Sequence, residues 1–247
     1  MNYFQPNDLN SALDVLQNNS DLTIAAGCTD LFPITNNMSL DKNILDITNI
    51  KSIKGFQFNS KETKIGSATT WTDIINENLP SCYDMLKACA KEVGSIQIQN
   101  LGTIGGNICN ASPAADSIPC LLALDAKLEL SSANNQRIIP IDEFILGSRK
   151  TKLEQGEILT SIIIPKEKEN GSSSFRKIGA RKYLVISISM VACRILISKN
   201  IIEDISISVG SCSEVAKRIF SIERQLIKKD INAVSYTHLR AHETSEY

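Results

Sequence analysis

Histidine is almost missing from this sequence. The 247 residues contain two, His238 and His242, both within the last ten positions. Their HxxxH spacing would place two imidazoles on one helix face, an arrangement that can bind a metal. The surrounding string, Val234 to Thr244, resembles instead one translation frame of a sequencing-library transposon adapter. The expectation is that the natural protein runs to about Ala233 and that 234–247 is a non-native tail. Without those two residues no histidine remains to act as general base or metal ligand. Neither a catalytic residue nor a metal site is therefore assigned.

Paired cysteines are also missing. Cys28, Cys82, Cys89, Cys109, Cys120, Cys193 and Cys212 include no C-x-x-C pair. That excludes the usual zinc, redox and iron–sulfur spacings. Reduced, mostly buried thiols in a cytoplasmic protein are the expectation. The formal net charge is −1, with no excess of either sign to draw nucleic acid or an anionic membrane. No window approaches the ~20 apolar residues of a membrane-spanning helix. Met1 to Pro6 has neither the basic nor the apolar stretch of a signal peptide. Neither a Rossmann G-x-G-x-x-G nor a Walker Gly-Lys-Ser/Thr loop is present.

What is present is the balance of an ordinary globular protein, 43% hydrophobic and 21% charged. Near the N-terminus, Asn7-Asp8 can cap a helix with Leu9, Ala12, Leu13 and Leu16 on one face. Leu22–Ala26 and Asn43–Ile47 read as short buried strands, and Thr29-Asp30 as a helix start. Together they form a small parallel α/β unit. From about Ile53 the pattern changes. Strands are expected at 56–58 and 63–66, then a helix capped by Thr69 or Thr70, an amphipathic helix over 81–93 and an apolar helix over 116–126. A hairpin follows, 127–130 with 137–139, and then a strong strand at 158–164. The polar stretch 166–174 reads as a linker or exposed loop. Beyond it come antiparallel strands within 175–180, 185–198 and 205–209, and a helix over 214–229 whose stripe is Val215, Ile219, Ile222 and Leu226.

Three glycine-bearing segments carry the chemistry. Ala26-Gly27-Cys28-Thr29-Asp30-Leu31 follows a strand directly, and such a turn can aim backbone N–H groups at a phosphate. Gly102-Thr103-Ile104-Gly105-Gly106-Asn107 lets backbone approach a ligand closely, and Asn107 can donate and accept. Its continuation through Asn110 to Asp116 is small and polar without a helical stripe, and reads as backbone wrapped around a large polar ligand. Phe175 to Lys182 is a basic strand, able to bring a cation to an anionic cofactor.

These segments, with Gly156–Pro165, resemble in order and spacing the FAD-binding subunits of molybdenum hydroxylases, the family of xanthine dehydrogenase and carbon monoxide dehydrogenase. The likeness runs from about Pro6 to Ala233. The resemblance implies an α+β fold: a two-part FAD-binding domain of the vanillyl-alcohol-oxidase (PCMH) type over 1–170, built from a small parallel α/β unit (1–52) and an antiparallel sheet with helices (53–170). A truncated α+β C-terminal domain over 171–233 would follow.

The resemblance also implies a site. The backbone of Ala26, Gly27, Cys28, Thr29 and Asp30 and of Thr103, Ile104, Gly105 and Gly106 would hold the FAD pyrophosphate. Asn107, Asn110 and Asp116 would bond phosphate or sugar hydroxyls. Ile158 and Leu159 would pack on the rings, and Lys177 would lie near the isoalloxazine and favour its reduced, anionic form. Two positions depart from the family pattern. Cys28 stands where a glycine is usual, costing on the order of 1 kcal/mol if the turn needs φ > 0. Gln99 stands where arginine is common. The chain has no cluster-binding cysteines and no room for a molybdopterin domain, so the implied partners are a molybdopterin subunit and an iron–sulfur subunit, with NAD or another electron acceptor. Two other readings fit part of the pattern: a stand-alone FAD-dependent oxidoreductase of the same fold, and a cofactor-free scaffold.

Overall fold

The first fifty residues build a three-stranded parallel sheet, and the reason is visible in their order. The computed structural model describes residues 2–31, 42–180 and 186–231. After β1 (Tyr3–Phe4), helix α1 (Leu9–Asn18) starts at Asp8, whose carboxylate accepts the Ser11 N–H at 2.9 Å. β2 (Leu22–Ala25) and β3 (Asn43–Asp46) follow, and all pairings are parallel in the order β1-β3-β2. The apolar stripe of α1, Ala12, Leu13 and Leu16, packs with Leu45, Ile47 and Ile50 as a separate small core. Thr29–Leu31 form a turn; the helix expected to start there would run into 32–41, outside the described residues.

The middle region is a five-stranded antiparallel sheet with helices on it. β4 (Phe56–Phe58) and β5 (Glu62–Gly66) are followed by α2 (Trp71–Asn76), which Thr70 and Asp73 close with a reciprocal capping box. α3 (Asp84–Glu92) begins after a single 3-10 turn at Ser81–Tyr83, so the expected long helix is divided. Then come α4 (Ile96–Leu101), α5 (Ile104–Asn110) and α6 (Ser117–Ala123). The hairpin β6 (Lys127–Ser131) and β7 (Gln136–Pro140) forms as expected. The short α7 (Ile141–Phe144) and the hairpin β8 (Ile145–Gly147) and β9 (Lys150–Thr151) were not legible beforehand. β10 (Ile158–Pro165) closes the sheet between β5 and β6, in the order β4-β5-β10-β6-β7. Every residue of β10 before Pro165 is buried, which is why it reads as one continuous apolar run.

A four-stranded antiparallel sheet completes the described chain: β11 (Ser172–Ile178), β12 (Ser189–Ser198), β13 (Ile201–Gly210) and β14 (Lys217–Arg218), with α8 (Phe220–Leu226) on one face. Phe175, Met190 and Ala192 join the main core, which also contains Met85, Leu86 and Cys120.

Two expectations are corrected here. Ser172–Ser174 belong to β11 and not to a linker. Ser173 Oγ accepts the Met85 N–H at 3.0 Å and donates to the Ser81 carbonyl at 3.0 Å, so polar residues serve a strand that borders a helix start. The helix expected over 214–229 is only seven residues long. Lys217 and Arg218 pair with Val209 and Ser208 instead, because ladder bonds and the Arg218–Glu223 and Arg218–Asp125 ion pairs outweigh helical periodicity. Among the described residues, no helix is long and apolar enough to cross a membrane.

Candidate cofactor-binding cavity

Two glycine loops meet edge to edge between the parallel unit and the antiparallel sheet. The contact is so close that a Cβ on Gly27 would fall on the Leu101 carbonyl and within 2.9 Å of Gly102 Cα. Only a glycine allows the first loop this approach to the start of the second. Around the junction lies a cavity of about 470 Å³. That volume is in the range of small-molecule and cofactor sites.

Of the fifteen residues implied by the resemblance, twelve line this cavity: Ala26 to Asp30, Thr103, Gly105, Gly106, Asn107, Asn110, Ile158 and Leu159. Ile104, Asp116 and Lys177 do not. Ile104 is a core residue. Lys177 Nζ lies 2.7 Å from Asp116 Oδ2, and both side chains are buried. Ser187 Oγ donates to the other Asp116 oxygen at 2.5 Å. The cation expected at the cofactor is thus committed to an internal ion pair.

The second loop is not a loop. Thr103 caps α5, accepting the Gly106 N–H at 3.0 Å, and the segment continues as helix to Asn110, where Ala111 (φ +46°) ends it in the left-handed region. This overturns part of the reading of 108–116 as wrapped backbone without a helical stripe: Ile108–Asn110 are helical, and Ile104 and Ile108 face the core from the helix. Small residues concealed the helical stripe, since one of its positions, Gly105, is glycine.

The backbone donors of the two segments differ. In α5 the N–H groups are engaged within the protein: Ile104 to Thr69 O at 3.0 Å, Gly105 to Ser67 O at 2.8 Å, and Asn107 to Thr103 O at 3.0 Å. In the first loop, among the described residues, no acceptor meets the N–H groups of Gly27 to Asp30. Gly105 and Gly106 also differ. A Cβ on Gly105 would lie 2.6 Å from Ser67 Cβ, whereas one on Gly106 would meet only Thr103 Oγ1, at 2.9 Å. Gly105 is required for packing, and Gly106 keeps the cavity wall flat.

Cys28 adopts φ +57°, so a Cβ sits in the left-handed turn that glycine usually takes. Its thiol is pushed up by burial and by the nearby Asp46 carboxylate. Cys109, which also lines the cavity, is pushed up to about 12 by burial. All seven cysteines are free.

At the rim, Asn110 Nδ2 donates to Asp30 Oδ2 at 2.6 Å, and Asn110 Oδ1 accepts from Arg149. Asn110 therefore ties the first loop to the β8–β9 turn. Sequence reading missed Arg149, and it missed the apolar wall made by Ile24, Trp71, Val93, Ile98 and Leu153. These residues come from separate elements, and no local pattern marks them. Among the described residues of the lining, Asp30 carries the only charged side chain. The surface suits a ligand with flat apolar parts and acceptor groups that meet backbone and amide donors.

Comparisons with known proteins point to one family. Residues 1–167 match the family model described as the FAD binding domain in molybdopterin dehydrogenase. The chain is 30% identical over 232 residues to the glyceraldehyde dehydrogenase medium chain of Sulfolobus acidocaldarius, covering 93% of this chain and 82% of that one. It is 34% identical over 195 residues to the nicotinate dehydrogenase FAD-subunit of Eubacterium barkeri, covering 75% of this chain and 65% of that one. The structure superposes on a chain of carbon monoxide dehydrogenase from Hydrogenophaga pseudoflava with TM-score 0.85 at 25% identity, covering 95% of this chain and 83% of that chain.

Proposed function

The chain belongs to the family of FAD-binding domains of molybdopterin dehydrogenases, and we propose that it serves there as the electron-transfer subunit, holding FAD in the cavity between its two glycine segments. It is an oxidoreductase subunit by family. The observation that carries the site is the joining of Gly27–Asp30 and Thr103–Asn107 around one cavity with an apolar wall.

The residues present fit FAD. The N–H groups of Gly27 to Asp30, which meet no acceptor among the described residues, offer donors to phosphate oxygens. Gly106, where a side chain would project into the cavity wall, leaves room for close approach. Asn107 offers an amide. Ile158, Leu159 and Trp71 supply flat apolar surface. Bound FAD would supply the two-electron chemistry, and the chain would supply binding, orientation and exclusion of water. Lys177 and Asp116 act at one remove, by holding β11 against the start of α6.

A molybdopterin subunit and an iron–sulfur subunit are the proposed partners, and electrons would leave to NAD or another acceptor. The support is composition and kinship. Among the described residues no cluster of metal-ligating side chains is found, and carbon monoxide, nicotinate and xanthine dehydrogenases provide the relatives. The chain spans about two thirds of the length of the nicotinate and xanthine dehydrogenase relatives, 65% and 66%.

The test is direct. Purified full chain, titrated with FAD, should quench flavin fluorescence at one equivalent and turn yellow on gel filtration. A colourless protein that takes up no FAD would favour the cofactor-free scaffold.

A further inference from the structure

Helix α5 keeps its own N–H groups, so its hydrogen bond to a ligand must come from a side chain, and Asn107 is the polar side chain of its first turn that lines the cavity. A free asparagine can present either its oxygen or its nitrogen. Here Ser117 decides. Ser117 Oγ, fully buried at the start of α6, donates to Asn107 Oδ1 at 2.6 Å. A buried hydroxyl proton needs an acceptor, and among the described residues Asn107 Oδ1 is the one it has. That bond turns Asn107 Oδ1 toward α6 and sets the orientation of the amide, and among the described residues none accepts from Asn107 Nδ2.

We infer that Ser117 is a positioning residue that fixes Asn107 as a donor to the cavity, so that the ligand group opposite must be an acceptor oxygen. This rests on the FAD reading and deepens it: Asn107 meets a phosphate or carbonyl oxygen of the cofactor, not a ribose or ribityl hydroxyl acting as donor. Ser117 never touches the ligand. It acts through Asn107 across the gap between α5 and α6, and its neighbour Asp116, paired with Lys177 and Ser187, anchors the start of α6 from behind.

The test is a set of FAD titrations on the full chain, with melting of the FAD-free protein measured alongside. Ser117→Ala should weaken FAD about ten-fold, the scale of one hydrogen bond to a charged group, and Ser117→Thr should restore it. Asn107→Asp, which keeps the Ser117 contact but turns an acceptor toward the ligand, should bind FAD more weakly than Asn107→Ala. Adding Ser117→Ala to Asn107→Ala should change the affinity no further, because the positioning residue then has nothing to position. A purely structural role would lower melting and weaken FAD in both backgrounds alike. Wild-type affinity in Ser117→Ala, or full affinity in Asn107→Asp, overturns the inference while leaving the FAD site standing. A wild-type chain that binds no FAD overturns both.

Discussion

Lys177 Nζ and Asp116 Oδ2 lie 2.7 Å apart, and both side chains are buried. The pair joins the third sheet to the start of α6. Removing one partner of a buried pair leaves an uncompensated charge, which costs on the order of 3 kcal/mol. Lys177→Met should therefore lower urea stability by about that amount, and adding Asp116→Asn should recover most of it. A Lys177→Met variant as stable as wild type would show that the pair is dispensable to the fold.

Cys28 holds φ +57° in the first loop. Cys28→Gly should raise stability by about 1 kcal/mol, since the strain of a Cβ in the left-handed region is removed. The increase is offset in part by the greater freedom of glycine in the unfolded chain. Equilibrium denaturation decides it; a loss of more than about 1 kcal/mol would mean that the thiol contact with the Ala26 carbonyl outweighs the strain.

Adjacent glycines should behave oppositely. Gly105→Ala drives a methyl into Ser67 and should lower stability by about 1–3 kcal/mol, the range for overpacking. Gly106→Val should fold with some loss from the Thr103 cap, whose Oγ1 alone lies near its Cβ, yet lose FAD through the bulk placed in the cavity wall. Denaturation and flavin titration separate the two. Stoichiometric flavin in Gly106→Val would remove that glycine from the site.

Glu157 supplies the pH dependence. Arg137 donates to both its oxygens, at 2.6 and 2.8 Å, and the Glu154 N–H donates at 2.8 Å. The Arg137 bonds hold the carboxyl below its ordinary 4.5, against the upward pull of burial. A lowered folded value means that the stabilisation is fully present above the ordinary value and is lost as pH falls through the lower, folded one. Denaturation midpoints should decline below about pH 4.5, and Glu157→Gln should show a shallower decline from a lower plateau. Equal slopes in the two proteins would rule Glu157 out as the titrating group.

The strands and the first helices were legible because their periodicity is local. Leu9, Ala12, Leu13 and Leu16 mark α1, and the run from Ile158 to Ile164 marks β10. Errors arose where long-range partners overrode a local pattern. Ser172–Ser174 look like linker until the start of α3 is set beside them. Val215 and Ile219 look helical until β13 offers Lys217 and Arg218 a ladder. Glycines at 105 and 106 made a helix look like a loop, because the residue that would mark its face has no side chain.

The sequence by itself determined the family, the cofactor class and the twelve lining positions within Ala26–Asp30, Thr103–Asn110 and Ile158–Leu159. Those rest on short motifs whose glycines mark close approach within the chain, Gly27 to Leu101 and Gly102 and Gly105 to Ser67, or an open cavity wall at Gly106. Tertiary structure alone decided which donors remain available to that ligand. It engaged the N–H groups of α5 inside the protein, left those of Gly27 to Asp30 unmatched among the described residues, and paired Lys177 with Asp116. Hydrogen-bond partners 10 to 71 positions apart, as in Ser117–Asn107 and Ser187–Asp116, are set by packing between elements, which no local reading of residue types contains.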